Sequence, residues 1–494
     1  MPLAPLLAAV SLAVQPSDGA LTLALDGKPV ITGVLAEYPL KISGTTVRQD
    51  SPRHYTVDVS YTDHSTADYS YALAGSDCML TYTLTNHGAK GLAIDLSGLN
   101  CTFAPGARLT GTISHWHWTY YQNTAVWHPG LQSPLGAVYA ADGHQAAVFY
   151  SPSEADRQSL INASWKLGFD IPNPFGLEFH TREVVAPGAS GSASLVMHLT
   201  EDLSPEGLYG AYKTFLTGRY PATRPLPDRR PMGMFSSVDQ SLVTPANPHG
   251  YNGDMRRFDL PSGVDLFLRK VADPLRAGGA QGCIFWAPGG AEPVMYPPDF
   301  DDNLARIADT WPALVEGFRA RKLRVGLCAR AAEWVDRTQP EHPLVRRIDP
   351  ADPRQVETLL GRFRRVAGMG VNAYYLDTFG NDWASTQLLA AIRQTVGPDV
   401  PIYTEYCTDA TLPYADRYCE YSGGDGVAWT SPEQLEAFRY LFPRSVWLCL
   451  SRTPQPVPPD FARLGLTPLI QDYLVSSVLA GSPVELGKRI PSGR

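Results

Sequence analysis

The chain changes periodicity once, near Leu203, and this change restricts its possible folds more than any other feature. Up to that point, apolar and polar residues alternate in short runs: "ALTLAL", "HYTVDVSYT", "CMLTYTLTN", "AAVFYS", "LEFHTREVV" and "SASLVMHLT". Successive side chains of a strand point to opposite faces, so each run offers one face to a core and one to water. Turn residues separate the runs ("DG", "SG", "NHG", "PG") and helical periods are nearly absent. The expected structure for residues 1–203 is a β-sandwich. Residues 204–230 hold a short helix-like piece and the Pro/Arg-rich "RYPATRPLPDRRP", which reads as a linker.

From residue 231 to 494, apolar strands alternate with amphipathic helical runs, the pattern of a parallel sheet. Strands are expected at "MGMFSSV", "QGCIFWA", "LRVGLCAR", "VNAYYLD", "VPIYTE", "DRYCEYS", "SVWLCLS" and "SPVEL". The intervening helices include "NLARIADTWPALVEGFRARK", "PRQVETLLGRFRRVAGMG", "STQLLAAIRQTVG" and "LIQDYLVSSVLAG", and the link after the fifth strand is short and irregular. Eight strands over this length fit a (β/α)8 TIM-type barrel. A doubly wound open sheet is the alternative, but no GxGxxG or phosphate loop follows any strand.

Overall size and composition agree with this division. A chain of 494 residues exceeds one compact core. The net charge of -8 and the lack of a Lys/Arg stripe argue against a nucleic-acid partner, and Arg362, Arg364 and Arg365 read as a solvated helix face. Seven cysteines lie scattered without CxxC or zinc-type spacing, and Cys283, Cys328 and Cys449 sit in apolar runs as small hydrophobes. No apolar run reaches the roughly 18–20 residues of a membrane span. The first residues, "MPLAPLLAAVSLAVQP", fit two readings equally: a secretion signal with a small-residue cleavage point at Ser11-Leu12-Ala13, or the start of a strand–turn–strand.

The fourth strand of the second half ends on a carboxylate. In "VNAYYLDTFGNDW", alternation puts Ala373, Tyr375 and Asp377 on the barrel interior, and Tyr374 and Leu376 toward the helices. A buried carboxylate is costly, so Asp377 either caps the helix near Ser385 or works in a site. The fifth strand, "VPIYTEY", ends in the same way, with Glu405 sharing a face with Tyr403. Adjacent parallel strands lie about 4.8 Å apart, so two such carboxylates can stand about 5–5.5 Å apart. That is the spacing of a retaining glycosidase, in which one carboxylate attacks the anomeric carbon and the other serves as acid, then base. Mutual repulsion would keep one of them protonated. Either residue alone fits a cap or an ion pair, whereas both on neighbouring strand ends favour catalysis.

The motif "YYLDTFGN" resembles the nucleophile strand of retaining α-glycosidases that join a β-sandwich to a (β/α)8 barrel. It is most similar to the endo-α-N-acetylgalactosaminidase type and more broadly to the α-galactosidase and α-amylase superfamilies. "LTYTLTNHG", Leu80 to Gly88, is similar to the sandwich domains that precede such barrels. The resemblance implies Asp377 as nucleophile and Glu405 as acid/base, α-linked substrates and no cofactor. Two departures are visible. Tyr375 stands where amylase-like and α-galactosidase-like enzymes carry Arg or Lys, and α-galactosidase-like enzymes take their acid from the sixth strand, where "EYSGGDG" offers Asp425 and Glu420.

Sugar sites combine aromatic platforms with polar groups, and such residues recur after the strand ends. Ser236, Ser237 and Asp239 follow the first strand; Trp286, Tyr296 and Asp299 the second; Arg330, Glu333 and Trp334 the third. Trp383 follows the fourth, Trp429 the sixth, and Ser451-Arg452 the seventh. Arg330 and Arg452 are expected to hold the nucleophile ionised or to bind hydroxyls. In "SHWHWTYY", His115 and His117 share a strand face, but no third ligand is evident, so no metal is expected. The expected partner is an oligo- or polysaccharide or a glycoconjugate. A non-catalytic carbohydrate-binding protein on the same architecture, and a lyase or metal-assisted hydrolase, are the rival readings.

Overall fold

The computed structural model describes residues 9–37, 39–101, 118–121, 124–127, 135–139, 144–152, 169–170, 176–220, 228, 230, 232–236, 238–292, 297–336, 344–379, 382–405, 408–421, 439–443, 445, 447–451 and 466–470. The chain forms two compact units, Met1–Pro221 with Thr430–Pro443, and Ala222–Trp429 with Arg444–Arg494.

The first unit holds two large antiparallel sheets. One has six strands in the order Val10–Val14, Leu21–Leu25, Lys28–Glu37, Leu92–Cys101, Gly176–Val185 and Phe169–Asp170. The other has seven, including His54–Tyr61, Thr66–Ala74, Asp77–Thr85 and Ser190–Thr200. All six runs with alternating character lie in these strands. Their inward residues form one apolar cluster drawn from both sheets, with Leu23, Ile31, Leu96 and Leu99 from one and Val57, Tyr69, Leu80 and Leu195 from the other. Of the two readings of the first residues, strand–turn–strand is observed over 10–25: Val10–Val14 pairs with Leu21–Leu25 and buries Leu12 and Val14.

One carboxylate sits inside this apolar layer. Glu37 is fully buried; its Oε2 accepts from the Tyr82 hydroxyl at 2.6 Å and its Oε1 from the Asp95 amide at 2.6 Å. Burial pushes the Tyr61, Tyr69 and Tyr82 phenols up, so they remain neutral donors. The helix-like piece of the expected linker is a full helix, Pro205–Arg219, capped by Ser204, whose Oγ accepts from the Gly207 amide at 3.2 Å.

In the second unit eight parallel strands close on themselves: β1 Met232–Ser236, β2 Gly282–Trp286, β3 Arg324–Ala329, β4 Ala373–Leu376, β5 Ile402–Thr404, β6 Asp416–Tyr421, β7 Trp447–Ser451 and β8 Leu466–Ile470. Seven stand where alternation puts them. The eighth is a correction. "LTPLI" closes the ring, with Leu469 opposite Met232, whereas a helix was expected from Leu469 onward and a strand at "SPVEL", which lies outside the described residues. Short apolar runs carry no decisive period, and Pro468 disfavours a helix continuing through it.

The helices between the strands carry one further difference and one irregularity. The expected single helix after β2 is two, Phe300–Ala305 and Trp311–Ala320, because Pro312 lacks the amide that an interior position must donate and instead starts a new helix. After β1, Pro261–Phe267 and Asp273–Ala277 are joined by a π turn, Leu268–Ala272, just before Pro274. Helices Pro353–Gly368 and Trp383–Val396 follow β3 and β4. Inside the ring, Met232, Ile284, Trp286, Cys328, Ala373, Tyr375 and Tyr403 pack together. Tyr374, Leu376 and Ile402 face the other way, into the layer beneath the helices. Tyr374 meets Phe363 edge-on at 5.0 Å.

Candidate functional site

The inward faces of β4 and β5 bring Asp377 and Glu405 to the same end of the ring. Tyr375 pairs with Tyr403 in register, and the Glu405 amide donates to the Leu376 carbonyl at 3.1 Å, which continues the ladder one step past β5. Thr378 lies between the two carboxylates. Its amide donates to Glu405 Oε2 at 2.7 Å, and its hydroxyl reaches Asp377 Oδ2 at 3.4 Å. Thr378 achieves this in the left-handed region, at φ 50, where a β-branched residue is strained. Ala287, which follows Trp286 at the end of β2, is also left-handed, at φ 46. Strain thus recurs at two strand ends of one rim.

Asp377 is nearly out of water, with its side chain 6% exposed. Arg330, from the end of β3, places Nε 3.9 Å from Asp377 Oδ2 and donates to the Thr378 hydroxyl at 3.2 Å. Burial first, and the Glu405 carboxylate second, push Asp377 up to about 7, against the opposing pull of Arg330 and Thr378. Below that pH the Asp377 carboxyl holds a proton. Cys328, inward on β3 beside this pair, has its thiol raised well above the usual range by burial and by both carboxylates, so it stays a neutral packing group.

The helix-cap reading of Asp377 does not hold. Asp382 is the N-cap of helix Trp383–Val396, its Oδ1 accepting from the Ser385 amide at 2.8 Å. Arg347 grips the same Asp382 through both oxygens, reaches Ser385 Oγ, and lies over the Phe379 ring at 5.3 Å.

Arg347 belongs to a hairpin that sequence reasoning missed, Ala332–Asp336 paired with Leu344–Arg347. The hairpin carries two expected site residues. Glu333 faces Arg346 directly across it and pairs with that guanidinium. Trp334 donates its indole N–H to Asp299 Oδ1 at 2.7 Å. Arg330, Val345, Arg346, Arg347, Asp377 and Phe379 line a cavity of about 170 Å³, so one wall is arginine-rich and Asp377 contributes the carboxylate. The alternation of charge in "AEWVD" and "VRR" was the available signal for this hairpin.

Among the other expected residues, Trp286 and Tyr375 pack against each other inside the ring, tilted by 30° with centroids 5.2 Å apart. Trp383 is the half-buried first residue of its helix. Asp239 is solvent-exposed and caps a turn, accepting from the Ser241 amide at 2.8 Å and hydroxyl at 2.7 Å, so its carboxylate is engaged locally. The side chains of Ser236, Glu420 and Ser451 are not described, and Ser237, Tyr296, Asp425, Trp429, Arg452, His115 and His117 lie outside the described residues. Among the described residues no cluster of three or more His, Cys, Asp or Glu is arranged to hold a metal ion.

No protein-family model matches the sequence, and no curated protein matches it. Solved structures do match in shape. The alpha-N-acetylgalactosaminidase NagBb from Bifidobacterium bifidum, as a quadruple mutant, superposes with a TM-score of 0.62 at 12% identity, covering 95% of this chain and 91% of that one. Its GalNAc complex gives 0.59 at 12% identity over 88% and 83%. The ligand-free form gives 0.58 at 12% identity over 95% and 91%. At this identity the likeness is one of fold: antiparallel sheets followed by an α/β unit, over nearly the whole of both chains.

Proposed function

We propose that this protein is a glycoside hydrolase that cleaves α-linked O-glycosidic bonds with retention, on a β-sandwich followed by a (β/α)8 catalytic barrel. The observation that carries this reading is the carboxylate pair itself: Asp377 and Glu405 on adjacent inward strand ends, joined through Thr378 and electrostatically coupled. The shared fold with an alpha-N-acetylgalactosaminidase supports the substrate class, a glycan or glycoconjugate.

In this reading Asp377 Oδ attacks the anomeric carbon while the bond to the leaving oxygen breaks. Glu405 delivers a proton to that oxygen. Water then gives its proton to Glu405 and attacks the same carbon, which frees Asp377 and restores the acid. Glu405 Oε2 accepts from Thr378, so the transferable proton belongs on Oε1. The attack requires ionised Asp377. Burial and the Glu405 charge oppose that form and Arg330 and Thr378 favour it, so in this reading the proton held by the pair sits on Glu405 when the attack begins. Trp286 and Tyr375 pack inside the ring beneath the carboxylates, while Trp334 and Glu333 shape the hairpin beside the site.

A panel of aryl α- and β-glycosides tests this directly. Turnover of an α-glycoside with net retention, lost in Asp377→Asn, is the expected result. Comparing Glu405→Gln with Asp425→Asn on poor and good leaving groups then identifies the acid. Sugar binding without turnover of any panel member would instead favour a carbohydrate-binding protein.

A further inference from the structure

Arg362 departs from the solvated helix face expected of it. On helix Pro353–Gly368, the side chains of Arg364 and Arg365 are 51% and 62% exposed, but that of Arg362 is only 11% exposed. Its Nη1, which carries two hydrogens, donates to carbonyls of two separate segments. One is Pro298, just before helix Phe300–Ala305, at 2.9 Å; the other is Ala332, the first residue of the hairpin after β3, at 2.8 Å. Its Nε lies 3.8 Å from the carboxylate of Asp301, itself 1% exposed. Burial pushes the Arg362 guanidinium down, and the Asp301, Asp302 and Glu333 carboxylates oppose that.

The hairpin needs such an anchor. It is a sheet of two strands only, Ala332–Asp336 and Leu344–Arg347, and a lone two-stranded hairpin is at best marginally stable in water. Among its residues whose side chains are described, Ala332 alone is buried, so apolar packing contributes little. Polar contacts hold it instead. Arg362 joins Ala332 to Pro298, and the Trp334 indole joins the next residue, Asp299, at 2.7 Å.

The hairpin in turn reaches the carboxylate end of β4. Ala332 stands directly opposite Arg347, which grips Asp382 and lies over Phe379. Ala332, Val345, Arg346 and Arg347 form the hairpin's part of the cavity that Asp377 also lines. The bonds among Asp377, Thr378, Glu405 and Arg330 involve no hairpin residue. A loosened hairpin would therefore disturb the wall beside the carboxylates more than the carboxylates themselves.

We propose that Arg362 is a positioning residue for the site: its guanidinium ties the hairpin to the segment after β2 and so fixes the wall against which substrate binds. The kinetic consequence rests on the glycosidase reading, whereas the anchoring does not.

Hydrogen exchange of the full chain, read by mass spectrometry, tests the anchoring without substrate. Arg362→Lys keeps a cation near Asp301 but is too short to reach both carbonyls. Exchange about tenfold faster is expected in peptides carrying Trp334 and Arg346, in this variant and in Arg362→Ala, with the sandwich and β4 unchanged. Ethylguanidinium, the fragment that Arg362→Ala lacks, should restore protection in that variant and not in Arg362→Lys. On a glycoside that the wild type turns over, both variants should raise KM about fivefold with kcat within about twofold. Faster hairpin exchange in a chain that turns over no glycoside would uphold the anchor while removing the glycosidase reading. Unchanged hairpin exchange, protection lost across the whole barrel in both variants, or an unchanged KM in an active enzyme would overturn the proposal.

Discussion

The Thr378 amide donates to Glu405 Oε2 at 2.7 Å, so the residue immediately after Asp377 is bonded to the neighbouring strand's carboxylate. This bond makes the two acids one unit. Glu405 is held by the backbone that carries Asp377, and its charge acts on Asp377 across a site from which water is largely excluded.

The pair should therefore titrate together. Asp377 lies at about 7 because of burial and the Glu405 charge, so Glu405→Gln removes one raising cause and should move it down, while Arg330→Ala removes a lowering cause and should move it up. The pH dependence of covalent labelling by an activated fluorosugar reads this titration without needing the acid. The wild-type midpoint is expected near 7, with opposite shifts in the two variants.

Stability should carry the same signature. The folded-state carboxyl is raised from 3.8 to about 7, so its contribution is fully present below about pH 4 and is lost as pH rises toward 7. Asp377→Asn mimics the protonated form. It should be more stable than wild type at pH 8, by about 1–4 kcal/mol, and indistinguishable at pH 4. Thermal unfolding at the two pH values measures the difference.

Thr378 trades backbone strain for position. Thr378→Gly relieves the left-handed φ of 50 and keeps the amide bond to Glu405, but loses the hydroxyl that links Arg330 to Asp377. A stability gain of about 1 kcal/mol with about a tenfold fall in kcat is expected. A variant as active as wild type would show that the hydroxyl link is dispensable.

In the first unit, Glu37 should be expensive to mutate alone. Glu37→Ala leaves the Tyr82 hydroxyl and the Asp95 amide without their partner and should cost about 3–5 kcal/mol. Tyr82→Phe in that background should recover part of the loss. A double-mutant cycle on the thermal transition gives the coupling.

Much of the site was legible because strand alternation is rigid. Once "VNAYYLD" and "VPIYTE" were read as strands, the inward direction of Tyr375, Asp377, Tyr403 and Glu405 followed. What failed was whatever tertiary context decides. "LTPLI" became a strand because Met232 offered it an open edge, and Pro312 divided an amphipathic run whose period alone looked continuous. The left-handed Thr378 has no sequence signal, since a β-branched residue is the wrong choice for that conformation in isolation. Asp382, three residues before Ser385, had the better cap spacing, and that spacing could have freed Asp377 from the cap reading. The hairpin bearing Arg346 and Arg347 escaped because charged, short strands resemble loop.

Trapping the glycosyl-enzyme with a fluorosugar that slows deglycosylation, followed by peptide mapping, tests the central claim most directly. The account predicts one sugar per chain, attached to the peptide carrying Asp377, with faster decay on adding an acceptor. Label on Glu405 or Asp425, or stoichiometric labelling that survives in Asp377→Asn, would contradict it.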